Sequence, residues 1–305
     1  MKKLKEILKD KSFRLTVLVT LAYFGAGFAF LHFGLADYGW VFFILLPLSL
    51  GLAIGAMPLE KWAYLGLAIG ILIFITLLIV GGLEGFICVI MALPLIIILI
   101  LIGILLNKYL RKKGIIKKAD NLNIIIVPLI IILFGAPVEK YFNQNKTEII
   151  EIKTERIFAY TPNQVYDAIK SVDTLIAEKP FLMKLDLPIP NKCVLEKEEV
   201  GALRTCYFSG GTITEKITEL EKGKILKMDV IDYNLTGRKW LGFKEAIYYF
   251  DRLGKDSCKM TRITTYTSVL KPRIYWQPLE RLGISQEHQY VFDSINKDLE
   301  KNYGR

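Results

Sequence analysis

Four charged residues interrupt strand faces that are otherwise apolar. Successive side chains of a strand point to opposite sides, so residues two apart share a face. By that rule Arg204 lies with Cys206 and Phe208, and Glu215 with Ile213 and Ile217. Glu245 lies with Phe243, Ile247 and Tyr249, and Arg262 with Met260, Thr264 and Tyr266. Apolar neighbours on a half-buried sheet face the core, and a charge that follows them inside needs a counter-charge. Two Arg and two Glu make a neutral set. Three readings are open: a structural ion-pair cluster on an inner face, faces that point outward, or a polar anchor for the headgroup of a ligand. On the inward reading, at least one opposite-charge pair lies within salt-bridge distance.

Other chemistry is sparse. His288, the one His of residues 146–305, shares a helical face with Ile284, Val291 and Ile295. It reads as a core histidine held by partners, with an acid–base role as the alternative. Nucleophilic catalysis needs a base beside the nucleophile, and no such arrangement is legible. Two His, and four Cys without CxxC spacing, predict no metal site, and nothing points to a cofactor. Gly210 and Gly211 read as a hairpin turn, not a phosphate-cradling loop. Trp240, Tyr275 and Trp276 fall in expected loops, where they line a cavity mouth, touch lipid or simply pack. A turn centred near Val200 sets Cys193 almost opposite Cys206, close enough for a disulfide if the geometry suits. That bond requires an oxidising compartment; the alternative is two buried thiols.

The elements that must position these residues follow from periodicity. Residues 149–157 alternate as a strand. Thr161 and Pro162 are an N-cap and first-turn pair for a helix over 162–169. A second short helix is expected at 173–179, after which Pro180, Pro188 and Pro190 oppose regular structure. Strands follow at 193–197, 203–209, 212–220, 225–231, 243–250 and 259–270. A loop carrying Gly237, Arg238 and Trp240 precedes the last two. Residues 285–303 close the chain as a helix, with apolar positions at helical spacing.

Residues 1–145 are of another kind. They hold 14 basic and 7 acidic residues, against 26 and 23 in residues 146–305. A spanning helix needs about 20 apolar residues, and 15–33, 40–57, 62–80 and 86–106 carry no charge. A fifth segment, 122–138, is short and interrupted by Pro128; it crosses with a kink or lies re-entrant. Asp37, Glu60 with Lys61, and Glu84 mark the turns between spans. The string GLAIG occurs at 51–55 and at 66–70, and small residues four apart let helices approach closely. No signal-peptide cleavage pattern is obvious, and the first span reads as an anchor. Basic clusters at Lys2 to Arg14 and at Lys108 to Lys118 flank these spans. They read as cytoplasmic flanks held by anionic headgroups, not as a nucleic-acid surface. The expected protein is thus a multi-pass cell-membrane protein with a cytoplasmic N-terminus. If 122–138 crosses, residues 146–305 are periplasmic; if it is re-entrant, they are cytoplasmic. Intramembrane ionisable groups mark transport paths, and only His32 is a candidate, so the spans read as an anchor.

The strings VGALRTCYFSGGTITEKIT (200–218), GRKWLGFKEAIYYF (237–250) and TRITTYTSVLKPRIYWQPLERLGISQEHQYV (261–291) resemble the helix-grip superfamily of polyketide cyclase, START and pollen-allergen proteins, abbreviated SRPBCC. They are closest to a membrane-anchored bacterial subgroup. The resemblance covers about 149–303. It implies an α+β helix-grip domain at 146–305, a curved antiparallel sheet around a long C-terminal helix, joined to an α-helical transmembrane domain at 1–145. It also implies a sheet–helix cavity holding an apolar small molecule.

The expected function is binding of a lipid-like or other hydrophobic small molecule beside the lipid bilayer. Candidate ligand contacts are Arg204, Phe208, Glu215, Met228 and Glu245, with Tyr249, Tyr266 and Arg262 on the later strands and Trp276 and His288 beyond them. The rivals are a cyclase- or dehydratase-type enzyme using Glu245, Arg262 or His288, and a ligand-free structural or signalling module. Fold alone does not choose among them.

Overall fold

The computed structural model describes residues 2–57, 62–116, 121–143, 148–172, 175–185, 187–208, 210–235 and 240–304. The expected turn at Glu60 and Lys61, the cluster's Lys117 and Lys118, and Gly237 and Arg238 lie outside the described residues. Two compact units emerge. The first comprises Met1–Glu84, Cys88–Thr147 and Val269–Ile274; the second comprises Gly85–Ile87, Glu148–Ser268 and Tyr275–Arg305.

The first unit is helical. It contains α1 (Lys2–Lys9), α2 (Lys11–His32), a π-helical turn (Val41–Leu45) running into α3 (Leu46–Ala56), α4 (Ala63–Val80), α5 (Phe86–Lys112) and α6 (Asn121–Asn143). Asp10 caps α2 by accepting from the Phe13 N–H. Helices α2, α4 and α5 are long and apolar enough to cross a membrane; Val41–Ala56 is shorter. The segment expected over 122–138 is one continuous helix that runs through Pro128 and Pro137. Tyr141 and Phe142 belong to its last turn. Both GLAIG strings sit at close helix approaches. A Cβ on Gly51 would strike the α5 backbone at Ile100 and Gly103, and one on Gly70 would strike Thr20 of α2.

The second unit is a seven-stranded antiparallel sheet and three helices. In chain order these are β1 (Glu148–Phe158), α7 (Pro162–Lys170), α8 (Phe181–Lys184), β2 (Pro190–Leu195), β3 (Leu203–Phe208), β4 (Gly211–Glu221), β5 (Ile225–Leu235), β6 (Leu241–Gly254), β7 (Ser257–Ser268) and α9 (Arg273–Tyr303). The sheet order is β1-β7-β6-β5-β4-β3-β2. The sheet curls around α9, the helix-grip arrangement expected from the sequence. Thr161 closes a capping box with Gln164 at the start of α7. Pro190 is tolerated because it opens an edge strand, where no ladder hydrogen bond is lost. The helix expected at 173–179 is not formed over 175–179; α8 follows instead. The last helix begins twelve residues earlier than its apolar spacing suggested. Trp276, Glu280, Ile284 and His288 follow one another at i+4 on the face that reaches Ile295 and Leu299, which places Trp276 and Tyr275 on the helix, not in a loop.

At one end the sheet and α9 enclose a sealed apolar core that includes Tyr166, Leu226, Met228, Phe250, Met260 and Phe292. At the other end a smaller cluster forms around Ile150, Ile152, Leu241 and Tyr266, with Trp240, Phe243 and Ile284 packed against it.

Candidate functional site

The two apolar clusters are separated by a belt of polar side chains. Arg204 and Glu215 are directly opposite each other on β3 and β4. Nη1 of Arg204 donates to Oε2 of Glu215 over 2.8 Å, and Arg204 is only 3 % exposed. Its Nε and Nη2 donate to the carbonyls of Lys170 and Ile169, each over 3.1 Å. These are unsatisfied carbonyls at the C-terminal end of α7, where a cation is also favoured by the helix dipole. Burial alone pulls the Arg204 guanidinium down, but the adjacent Glu215 outweighs it, and the net shift is upward. All three kinds of donor nitrogen are engaged within the protein.

Arg262 makes the second pair, with a residue that its strand neighbours do not reveal. Glu287, on α9, takes Nη1 over 3.2 Å and Nη2 over 2.9 Å in a fork. The Arg262 guanidinium lies 5.5 Å from the ring of Tyr248. Its Nε is buried, with no hydrogen-bond partner among the described residues. Burial again pulls the guanidinium down and Glu287 carries it up. The side chains of Arg262 and Glu287 are 12 % and 18 % exposed, well above Arg204.

The four expected inward charges are therefore not one cluster. Arg204, Glu215 and Arg262 face inward; Glu245 does not. The β6–β7 register shifts between Phe243 and Glu245, leaving Lys244 as the extra residue of a bulge. Beyond it Ala246, Tyr248 and Phe250 turn inward, and Glu245 and Tyr249 turn out. Glu245 pairs with Lys227 over 2.8 Å on the outer face, and Tyr249 is exposed. One inserted residue flips every later side chain, so strict alternation from Phe243 misassigned both.

His288 is sealed. Its Nδ1 lies 2.8 Å from Thr154 Oγ1 and its Nε2 2.8 Å from Thr264 Oγ1. It is 0 % exposed. Burial, helped by the Arg262 charge, pushes its pKa well below the usual 6.5, so the imidazole is neutral. A ring with both nitrogens occupied and no solvent contact has no free site for proton transfer. Further along the seam, Tyr266 and Ser268 donate to Glu280 over 3.1 and 2.7 Å. Trp276 is buried on α9 and Met228 is buried in the sealed core. Cys193 and Cys206 are register partners and are joined by a disulfide. The Cys193 backbone also bridges to Val172, tying the end of α7 to β2.

The inner face is not buried throughout. β5 and β6 pair only from Ile225 with Tyr249 to Asp229 with Glu245. Past that point β5 continues along β4 to Leu235, and β6 continues along β7 from Leu241. Register shifts on both strands, after Thr214 on the β4–β5 side and at Lys244, accompany the parting. A single hydrogen bond, Tyr233 Oη to the Leu241 carbonyl at 3.2 Å, spans the gap among the described residues. Inward-facing Phe208, Val230, Phe243 and Ile284 remain half-buried there, whereas Met228 and Leu226, further back along the same face of β5, are fully covered. Tyr233 stands edge-on to Phe243 with ring centres 6.0 Å apart. Sequence reasoning placed Phe208 on this face; it missed Val230, Tyr233 and Glu287, and nothing in the periodicity marks where two paired strands separate.

No family model matches the chain, and no curated protein matches it. Solved structures do. Norcoclaurine synthase from Thalictrum flavum, in complex with dopamine and hydroxybenzaldehyde, is 20% identical over 52% of this chain and 91% of its own, with a TM-score of 0.36. The Zhui aromatase/cyclase from Streptomyces sp. R1128 is 12% identical over 50% and 95%, with a TM-score of 0.37. TTHA0849 from Thermus thermophilus is 13% identical over 50% and 99%, with a TM-score of 0.37. These are helix-grip structures, the arrangement that β1–β7 and α9 form here. Likeness at this level bears on neither ligand nor reaction.

Proposed function

We propose that this chain is a multi-pass membrane protein whose sheet-and-helix unit binds an apolar small molecule in a cleft between sheet and α9. The observation that carries this is the parting of β5 from β6, which leaves Phe208, Val230, Phe243 and Ile284 pointing inward yet incompletely covered. Apolar surface withdrawn from water there contributes roughly 25 cal/mol per Å², and a concave apolar site with few convergent polar groups is the usual form of a small-molecule pocket. An acid–base enzyme is the weaker reading, because Glu245 faces outward and His288 is sealed. The lipid bilayer is the second partner, through α2, α4 and α5. The disulfide and the continuity of α6 support an extracytoplasmic position for the unit.

Native mass spectrometry of the intact chain, released from lipid nanodiscs, tests the binding function. An apolar molecule should be retained, and Ile284→Trp, which fills the cleft, should release it. An unliganded chain that also fails to take up an apolar dye overturns the proposal.

A further inference from the structure

Given the binding function proposed above, the strand register decides which polar group a molecule in the cleft meets. Asp229 and Glu245 are the last β5–β6 pair, and Val230 is the next inward residue of β5. Directly opposite Val230, across β4 and β5, lies Glu215. Arg262 stands instead in the covered row of Leu226 and Tyr248. The two oxygens of Glu215 are not equivalent. Oε2 takes Nη1 of Arg204 over 2.8 Å. Oε1 accepts nothing among the described residues, yet it is not sealed in the way that Arg262 Nε is. The Glu215 side chain is 9 % exposed, that of Arg204 only 3 %. Arg204 gives Nε and Nη2 to the carbonyls at the end of α7, so its donors are committed to the protein.

We infer that Glu215 is the residue that reads the cleft ligand, and that it selects an uncharged apolar molecule presenting a hydrogen-bond donor to Oε1. An ionised carboxylate only accepts. An ether or ester oxygen also only accepts, so it gains no bond there and loses its own hydration. An anionic head confronts the Glu215 charge while the Arg204 donors beside it are already taken. An ammonium head can donate, but Arg204 already balances Glu215, and Glu287 is balanced in turn by Arg262. Its charge would enter a low-dielectric site with no counter-charge left for it, which is costly. A neutral donor completes the carboxylate and leaves the charge balance as it stands.

Isomeric probes isolate the donor. In a full-length chain carrying Cys88→Ser, Cys258→Ser and Val230→Cys, held in lipid nanodiscs, protection of the Val230→Cys thiol from a water-soluble maleimide is measured with decanol, nonyl methyl ether, decanoate and decylamine. Each is compared at equal mole fraction in the lipid. A parallel chain with Val200→Cys, exposed in the β2–β3 turn, corrects for effects on the reagent. Decanol should protect at a concentration about 10-fold lower than its isomeric ether, the scale of one hydrogen bond to a charged group. Decanoate and decylamine should also be weaker than decanol. Equal protection by the ether, or stronger protection by either charged probe, overturns the donor assignment while leaving the cleft itself intact. Protection by none of the four removes the binding function as well. Because Glu215→Gln costs stability, the residue is located without a substitution at 215. A long-chain alcohol with a diazirine on the carbon next to its hydroxyl should label β4 at Glu215 in the unaltered chain. Labelling of the cleft that spares β4 overturns the role of Glu215.

Discussion

Arg204 and Glu215 face each other across β3 and β4, and the same guanidinium holds the last carbonyls of α7. One side chain thus joins two strands to a helix end inside the unit. Removing either partner leaves the other buried and unpaired, so Glu215→Gln should cost about 3–5 kcal/mol. Glu245→Gln breaks only the outer pair with Lys227, whose side chains are 25 % and 34 % exposed, and should cost ~0–1 kcal/mol. Denaturant unfolding of the two variants, followed by tryptophan emission, distinguishes them. Equal losses would show that Glu215 is not the buried partner described.

His288 makes stability depend on pH. Its proton affinity is lowered in the folded unit by burial and by Arg262. The unfolded chain, with an ordinary value of 6.5, therefore binds more protons at acid pH. The stabilisation is fully present above that value and is lost as pH falls below it. The loss is at most about 1.4 kcal/mol per pH unit from this one group. His288→Gln should flatten the slope of unfolding free energy between about pH 7 and about pH 5. An unchanged slope would mean that the ring is already charged or not buried.

Thiol counting tests the disulfide. Unfolded without reductant, the chain should expose two reactive thiols, Cys88 and Cys258. After reduction it should expose four. Cys193 and Cys206 are 13 residues apart, and a crosslink closing a loop of that size contributes about 3 kcal/mol. Cys206→Ser should lower stability by that order. Four thiols without reductant would contradict the bond.

The proposed extracytoplasmic position of the sheet-and-helix unit rests on the same bond and on the positive-inside bias. A reporter active only in the cytoplasm, fused after residue 305, should be silent, and an extracytoplasmic reporter active. The reverse pattern would place α6 among helices that do not cross.

Much of this architecture was legible in the sequence because it rests on short-range periodicity. Alternation located β1 and the six later strands, and the spacing of Val291, Ile295 and Leu299 located α9. Cys193 and Cys206 were legible because a tight turn fixes hairpin register. The losses have a common cause. Glu245 and Tyr249 were turned the wrong way by a single inserted residue at Lys244, and a bulge has no signature in alternation. Glu287 was missed as the partner of Arg262 because it lies on α9, and only the packing of helix on sheet brings the two together. The first twelve residues of α9 were missed because Pro278 reads as a helix stop, while Trp276 and Glu280 continue the inner face through it. The parting of β5 from β6 depends on register shifts in both strands, which no local pattern reports.

The central claim is that the sheet–helix interior is sealed at one end and open at the other, and two neighbouring positions on β5 test it. Met228 and Val230 share the inner face, the first fully covered and the second half-buried. In a chain carrying Cys88→Ser and Cys258→Ser, the reactivity of Val230→Cys and Met228→Cys toward a small water-soluble maleimide is compared. The Val230→Cys thiol should react readily and be protected by decanol, while the Met228→Cys thiol should stay inert until the protein unfolds. Equal inertness at both positions, or a reactive Val230→Cys that decanol does not slow, would contradict an open cleft that binds apolar molecules.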